Sequence, residues 1–301
     1  MSIDQNKFWK EINEKQLSPE NIEANFENFK SSSINHKLAL FNPEVNGVRY
    51  LKTVNFLLAS TLSSAEIRLL GNTKNRDLGN PLCIQYKGMS ACLDYLQAAK
   101  EVDFIQREIT LENSSIIEIG AGYGRTCHTL LSNFDIEQYC IIDLPNALQL
   151  SRRYLSEVLG APSFKKITFI SVAEFDASKL GTFDLAINID SFAEMDKEVV
   201  HEYLAFIDKH CTAFYAKNPV GKYYDQSLDG HSQGNEVIEL ALKQGVLTDI
   251  LDIDNQSEVN EASKKFLLAY KPSAHWTVKA DSWAVPFSYI WQSLFAKENG
   301  A

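Results

Sequence analysis

Ser115-Ile-Ile-Glu-Ile-Gly-Ala-Gly-Tyr-Gly-Arg125 is the stretch that decides the fold. An apolar run of strand character passes straight into glycines at alternate positions, and the chain then continues as a helix. Gly120 and Gly122 permit a tight turn and let the main chain approach a ligand, while Gly124 lets loop and helix close on each other. A pyrophosphate-binding fingerprint, G-x-G-x-x-G, would need glycine at 125, where Arg125 stands. The actual spacing, G-x-G-x-G preceded by Glu118, suits a nucleotide cofactor without a pyrophosphate.

Downstream, short apolar runs alternate with helical stretches. The runs are 115–120, 138–144, 166–171, 183–189, 212–218 and 265–272 (KFLLAYKP), with helices expected near 124–133, 146–159, 193–210 and 233–245. Such alternation predicts an α/β fold, a doubly wound, mostly parallel sheet whose ligands lie beyond the carboxyl ends of its strands. Pro145 marks one helix start and Gly160 its end, and Ser191-x-x-Glu194 reads as a capping box. The second run ends in Asp143, nineteen residues after Gly124. A carboxylate there can accept both hydroxyls of a ribose, and a ribose without a pyrophosphate points to S-adenosyl-L-methionine. The bland alternative is that Asp143 only opens the turn before Pro145. Glu118 is either a structural acid bonding loop amides or a group near the cofactor's amino-acid end.

Upstream, the chain reads as helical. Ser18 and Pro19 form a helix start, with Ile22, Phe26 and Phe29 on one face. Further helices are expected over about 48–70 and 90–106, separated by the turn-rich loop 71–81. The organisation expected is a helical cap over 1–106, a core over 107–272 and an aromatic tail over 273–301.

Composition bounds the function. The 301 residues are 45% hydrophobic, enough for a sizeable core. A net charge of −10 disfavours general nucleic-acid binding. The apolar runs fall far short of the ~18 residues that span a bilayer, and the polar amino end has no signal-peptide character. Five scattered cysteines without a C-x-x-C pair read as reduced thiols, so a cytoplasmic location is expected. No metal-ligand spacing is present; His201-Glu202 does not open H-E-x-x-H, because Ala205 stands at the second histidine's place.

Four segments together carry a resemblance: Glu118 to Arg125, Ile142-Asp-Leu-Pro145, Asn188-Ile-Asp-Ser-Phe-Ala-Glu-Met195 and Phe214-Tyr-Ala-Lys-Asn218. With the loop Leu78-Gly-Asn-Pro81, they resemble the family of predicted sugar O-methyltransferases within the class I S-adenosylmethionine-dependent methyltransferases. The resemblance covers roughly 75–290. It implies a seven-stranded Rossmann-like sheet with the last strand antiparallel. By position it implies that Glu118, Gly120, Ala121, Gly122, Tyr123 and Gly124 line the methionine and sulfonium end, Asp143 and Leu144 the ribose, and Val172 and Ala173 the adenine. The acceptor implied is a hydroxyl of a sugar, glycan or sugar nucleotide.

A sulfonium methyl is already activated, so transfer needs in-line alignment and removal of the acceptor's proton, and requires no metal. Asp190 at the end of the fourth run and His231 in the long loop 218–234 are candidate bases. Glu194 is a third candidate whose first explanation is the capping box. Tyr223, Tyr224 and Trp276 are candidate sugar platforms, and the 218–234 loop is expected to act as a lid. A methyltransferase for a non-sugar small molecule and a non-catalytic cofactor-binding module stay open. A homo-oligomer is compatible with the sequence.

Overall fold

The computed structural model describes residues 14–15, 17–28, 43–225 and 234–298. Helix α1 (Pro19–Asn25) starts as the sequence indicates, with the Ser18 hydroxyl accepting from the Asn21 amide at 3.2 Å. Phe29 lies outside the described residues. The single helix expected over 48–70 is two, α2 (Pro43–Ser60) and α3 (Ser64–Asn72). The break comes from a capping box. The Ser63 hydroxyl accepts from the Glu66 amide at 3.1 Å, and Glu66 accepts from the Ser63 amide at 2.6 Å. A small hairpin, β1 (Ile84–Tyr86) and β2 (Met89–Ala91), follows in a region where the sequence pattern announces no strand. It leads into α4 (Leu93–Gln106).

The main sheet then assembles from β3 (Ser115–Ile119), α5 (Arg125–Asn133), β4 (Gln138–Asp143), α6 (Pro145–Val158), α7 (Ala161–Phe164) and β5 (Ile167–Ser171). It continues with β6 (Phe183–Ile189), α8 (Lys197–His210), β7 (Cys211–Pro219), α9 (Asn235–Ala241), α10 (Gln256–Ala269), β8 (Trp276–Trp283) and β9 (Ile290–Lys297). The strand order is β5-β4-β3-β6-β7-β9-β8, seven strands with β9 the one that runs antiparallel to its neighbours. This is the seven-stranded, mostly parallel α/β architecture expected from the sequence.

Alternation sorts the strand residues into two cores. Ile116, Tyr139, Ile141, Leu185, Ile187 and Tyr215 face α4, α5 and α6, whereas Ile117, Ile119, Ile142, Ala186 and Phe214 face α8 and α10. Helices α2, α3 and α4 join the first core, so the amino-terminal helices are continuous with the layer that covers the sheet.

Several expectations are corrected. The run 265–272, expected as a strand, lies mostly within α10, where Val259, Ala262, Ser263 and Phe266 are buried at helical spacing and Asn255 caps the start. The sheet also extends past residue 272. Its last two strands come from the aromatic tail, and β9 inserts between β7 and β8. The helix expected over 233–245 is shorter, ending at Ala241.

Candidate functional site

The strand order reverses between β3 and β6, so the loops that follow them diverge and open a crevice at the carboxyl end of the sheet. Gly120, Gly122 and Gly124 all have positive φ, at 76°, 58° and 93°. A Cβ on Gly120 would collide with the Ser191 side chain, so the loop after β3 and the loop after β6 touch where glycine leaves room. The Gly120 amide donates to the Ile142 carbonyl at 2.8 Å, and the Gly122 amide donates to Asp143 Oδ2 at 2.9 Å. Asp143 Oδ1 accepts from the Leu144 amide at 2.7 Å. The carboxylate is thus fixed at the tip of β4 beside the glycine loop.

Two recesses adjoin here. The first, about 700 Å³, is lined by Gly120, Asp143, Leu144, Val172, Phe175 and Tyr203 among others. The second, about 820 Å³, includes Asp94, Arg125, Asp190, Lys222, Leu240 and Tyr289 in its lining. Glu194 and Gln244 belong to both linings and form the partition. The Gly245 amide donates to the Met195 carbonyl at 2.7 Å, which holds Gln244 over that partition. A third recess of about 710 Å³, with Ser114, Thr212 and Thr277 in its lining, lies at the amino ends of the parallel strands, away from the glycine loop.

The sequence-derived residues therefore separate into groups. Gly120, Asp143, Leu144 and Val172 line the first recess, Asp190 the second, and Glu194 both. Tyr123 donates from its hydroxyl to Asp94 at 3.0 Å and packs edge-on against Tyr154. Ala121 packs against the core, and Ala173 is exposed, its amide donating to the Ser171 hydroxyl at 3.4 Å. His231 lies outside the described residues, as does the middle of the expected lid. Trp276 is fully buried, with its indole donating to Asp208 at 2.7 Å, so it offers no platform for a sugar. Tyr223 lines the second recess, but Tyr224 is not among its lining residues.

The capping-box reading of Ser191 and Glu194 is also corrected. Residues Ser191–Glu194 form a short 3-10 turn, and α8 starts later with Asp196 at its cap. The Ser191 hydroxyl instead donates to the Ile119 carbonyl at 3.0 Å and accepts from the Asn188 side-chain amide at 2.6 Å. Asp190 carries a φ of 63° and a ψ of −31°, a conformation disfavoured for a residue with a side chain. Its amide is held by the Lys217 carbonyl at 2.8 Å. The side chain remains open to the recess, yet the surrounding walls strip water from it and raise the carboxyl above its ordinary value; the Lys217 ammonium opposes that shift.

Beneath Asp190 lies a charge cluster that sequence reasoning did not single out. Arg125 forks onto Glu101 with contacts of 2.7 and 3.0 Å. Lys217 donates to Glu101 at 2.7 Å and to Gln97 at 2.7 Å. Lys217 and Glu101 are almost fully buried. Burial alone would raise the Glu101 carboxyl, but the two cations overcome it and hold the group well below its usual value. The sequence signals are Arg125 after the glycines and Lys217 within Phe214-Tyr-Ala-Lys-Asn218. Neither reveals a partner on a helix more than twenty residues away.

Glu118 does not line either recess. It is 2% exposed, and its carboxylate accepts from the Tyr139 hydroxyl at 2.7 Å. Burial raises its carboxyl to about 7, against the pull of Tyr139 and Arg125. The folded state thus keeps a proton that the unfolded chain releases near 4.5, so this contribution to stability is present at low pH and lost as pH rises towards 7. Glu118→Gln keeps the shape without the titration. Its stability relative to the parent is expected to improve by roughly 2–3 kcal/mol between pH 5 and pH 8. Urea unfolding at the two pH values measures this, and an unchanged difference would mean that the carboxyl is ionised throughout.

Among the described residues, no group of His, Cys, Asp and Glu is arranged to hold a metal, and no helix is long and apolar enough to cross a membrane. The chain matches no protein-family model and no curated protein. Solved structures with a similar chain path include a provisionally named O-methyltransferase from Klebsiella pneumoniae (13% identity, TM-score 0.46, 84% of this chain and 99% of that one). Others are the magnesium protoporphyrin IX methyltransferase of Synechocystis PCC 6803 with bound SAH (11%, 0.44, 67% and 81%) and the glycopeptide N-methyltransferase MtfA complexed with S-adenosylmethionine (13%, 0.42, 67% and 87%). None is similar enough to assign an activity.

Proposed function

We propose that the chain is an S-adenosylmethionine-dependent O-methyltransferase that acts on a hydroxyl of a sugar, glycan or sugar nucleotide. The observation that carries this reading is the pair of recesses meeting at Glu194 and Gln244, one edged by the Asp143 carboxylate and the other by Asp190. The residues of the first recess fit the cofactor. Leu144 and Val172 are exposed apolar side chains beside the Asp143 carboxylate, with Phe175 and Tyr203 opposite, as an adenosine requires. A Cβ on Gly122 would meet nothing within 4 Å, and that open space beside the turn suits a chain leading away from the ribose.

S-adenosylmethionine would supply a methyl group already activated on a sulfonium. The work left to the protein is to hold an acceptor oxygen in line with that methyl and to take its proton. Asp143 would hold the ribose hydroxyls, and the main chain of Gly120 to Gly124 would bound the amino-acid end, while Glu118 is buried in β3 on the Tyr139 hydroxyl. Asp190, at the floor of the second recess, accepts the acceptor's proton and passes it to water. Glu194 orients the acceptor at the partition.

Calorimetry with S-adenosylmethionine tests the cofactor half. Asp143→Ala is expected to weaken binding by about 2 kcal/mol, roughly 30-fold, with the circular dichroism spectrum unchanged. Equal affinity in the variant would remove the ribose assignment, and no binding by the parent chain would remove the whole reading.

A further inference from the structure

We infer, on the reading that the chain methylates a sugar hydroxyl, that the acceptor is an uncharged glycoside carrying an apolar group beside the reacting ring, and not a nucleotide-linked sugar. The charges of the second recess carry the first half. Among the described residues, the cations that line it are Arg125 and Lys222. Arg125 is forked onto Glu101, and Lys222 donates to the Ala193 carbonyl at 2.8 Å while facing Glu194. Three carboxylates, Asp94, Asp190 and Glu194, open into the same space. A diphosphate placed here meets acids and finds its cations engaged.

The wall opposite carries the second half. Val237 and Leu240 of α9 are 44% and 60% exposed, and Phe287, Tyr289 and Ile290 complete an apolar surface with them. At about 820 Å³ the recess is sized for a ligand larger than one sugar ring. A hydroxylated ring at the Asp190 end with an alkyl or aryl group against α9 would cover both surfaces. A bare sugar would leave the apolar wall wet.

The test uses the full chain with labelled S-adenosylmethionine and four probes: free hexoses, octyl hexosides, p-nitrophenyl hexosides and UDP-hexoses. The alkyl and aryl glycosides are expected to be methylated with kcat/KM at least tenfold above the free hexoses, and the UDP-hexoses below them. Leu240→Asp should lower kcat/KM for the octyl and aryl glycosides at least tenfold while leaving cofactor affinity unchanged by calorimetry. Faster methylation of UDP-hexoses than of glycosides would overturn the inference and leave sugar methylation standing. Failure to bind the cofactor would overturn the underlying reading. Where no probe turns over, equilibrium dialysis on the chain loaded with S-adenosylhomocysteine decides: retention of aryl glycosides supports the inference, and retention of UDP-hexose alone overturns it.

Discussion

Replacing Glu101 with glutamine is expected to destabilise the fold by about 3–5 kcal/mol, because it leaves the buried Lys217 ammonium and the partly buried Arg125 guanidinium without their shared carboxylate. Glu101 on α4 accepts from both Arg125 and Lys217, and the Lys217 ammonium is left with the Gln97 side-chain oxygen at 2.7 Å once the acid is gone. Asp190 is a remaining carboxylate that both cations act on, but it makes no ion pair with either. Desolvation makes this costly: a buried ion that loses its partner keeps its dehydration penalty and loses the attraction that offset it. Urea unfolding midpoints at constant m-value measure the effect. Adding Lys217→Met to Glu101→Gln should recover at least half of the loss, since one unpaired cation is then removed with the acid. A loss below about 1 kcal/mol in the single variant would mean that the cluster is solvated.

Asp190→Asn is expected to lower kcat by about 10²–10⁴, or roughly 3–5 kcal/mol in the barrier, with cofactor affinity changed less than threefold. Asparagine is the informative replacement. It matches aspartate in shape and tolerates positive φ better than alanine, so the backbone at φ 63° stays in place while the proton acceptor is lost. Burial raises the Asp190 carboxyl, so the acid limb of the parent's kcat/KM profile should lie above that of an ordinary aspartate. That limb should vanish in the variant. An unchanged limb and rate would shift the role to His231. A loss of cofactor affinity with kcat intact would instead make Asp190 a partner of the cofactor's ammonium.

What the sequence made legible is the local chemistry of the crevice. The glycine spacing places the loop after β3, and a strand-ending aspartate places the carboxylate beside it, because both signals lie within a few residues of the structure they specify. The misreadings have physical causes. Within 265–272, the apolar run Phe266 to Tyr270 looks like a strand, but Val259, Ala262 and Phe266 share a helical face that begins upstream of it. Strand β9 hides because Gln292 and Ser293 are buried within it. Gln292 is satisfied by Tyr215 at 2.7 Å and Ser282 at 3.0 Å, so polarity there does not mean exposure. The Glu101 cluster is invisible for a different reason. Its members meet only through tertiary packing, across separations of 24 and 116 residues.

The insertion of β9 between β7 and β8 sets the order in which the molecule can be completed as it is made. Strands β3 to β7, with the glycine loop, Asp143 and Asp190 at their ends, are all in hand once Pro219 has been synthesised, yet β7 gains its second neighbour only when residues 290–297 arrive. At translation speeds of about 5–20 residues per second that interval is roughly 4–16 s. Throughout it, an edge that ends as an interior strand displays unpaired main-chain groups, and Phe214 lacks the Phe295 ring on which it stacks. The nascent chain is therefore most exposed to mispairing after its glycine-loop half has been made, and closure of the sheet is the step that ends that exposure.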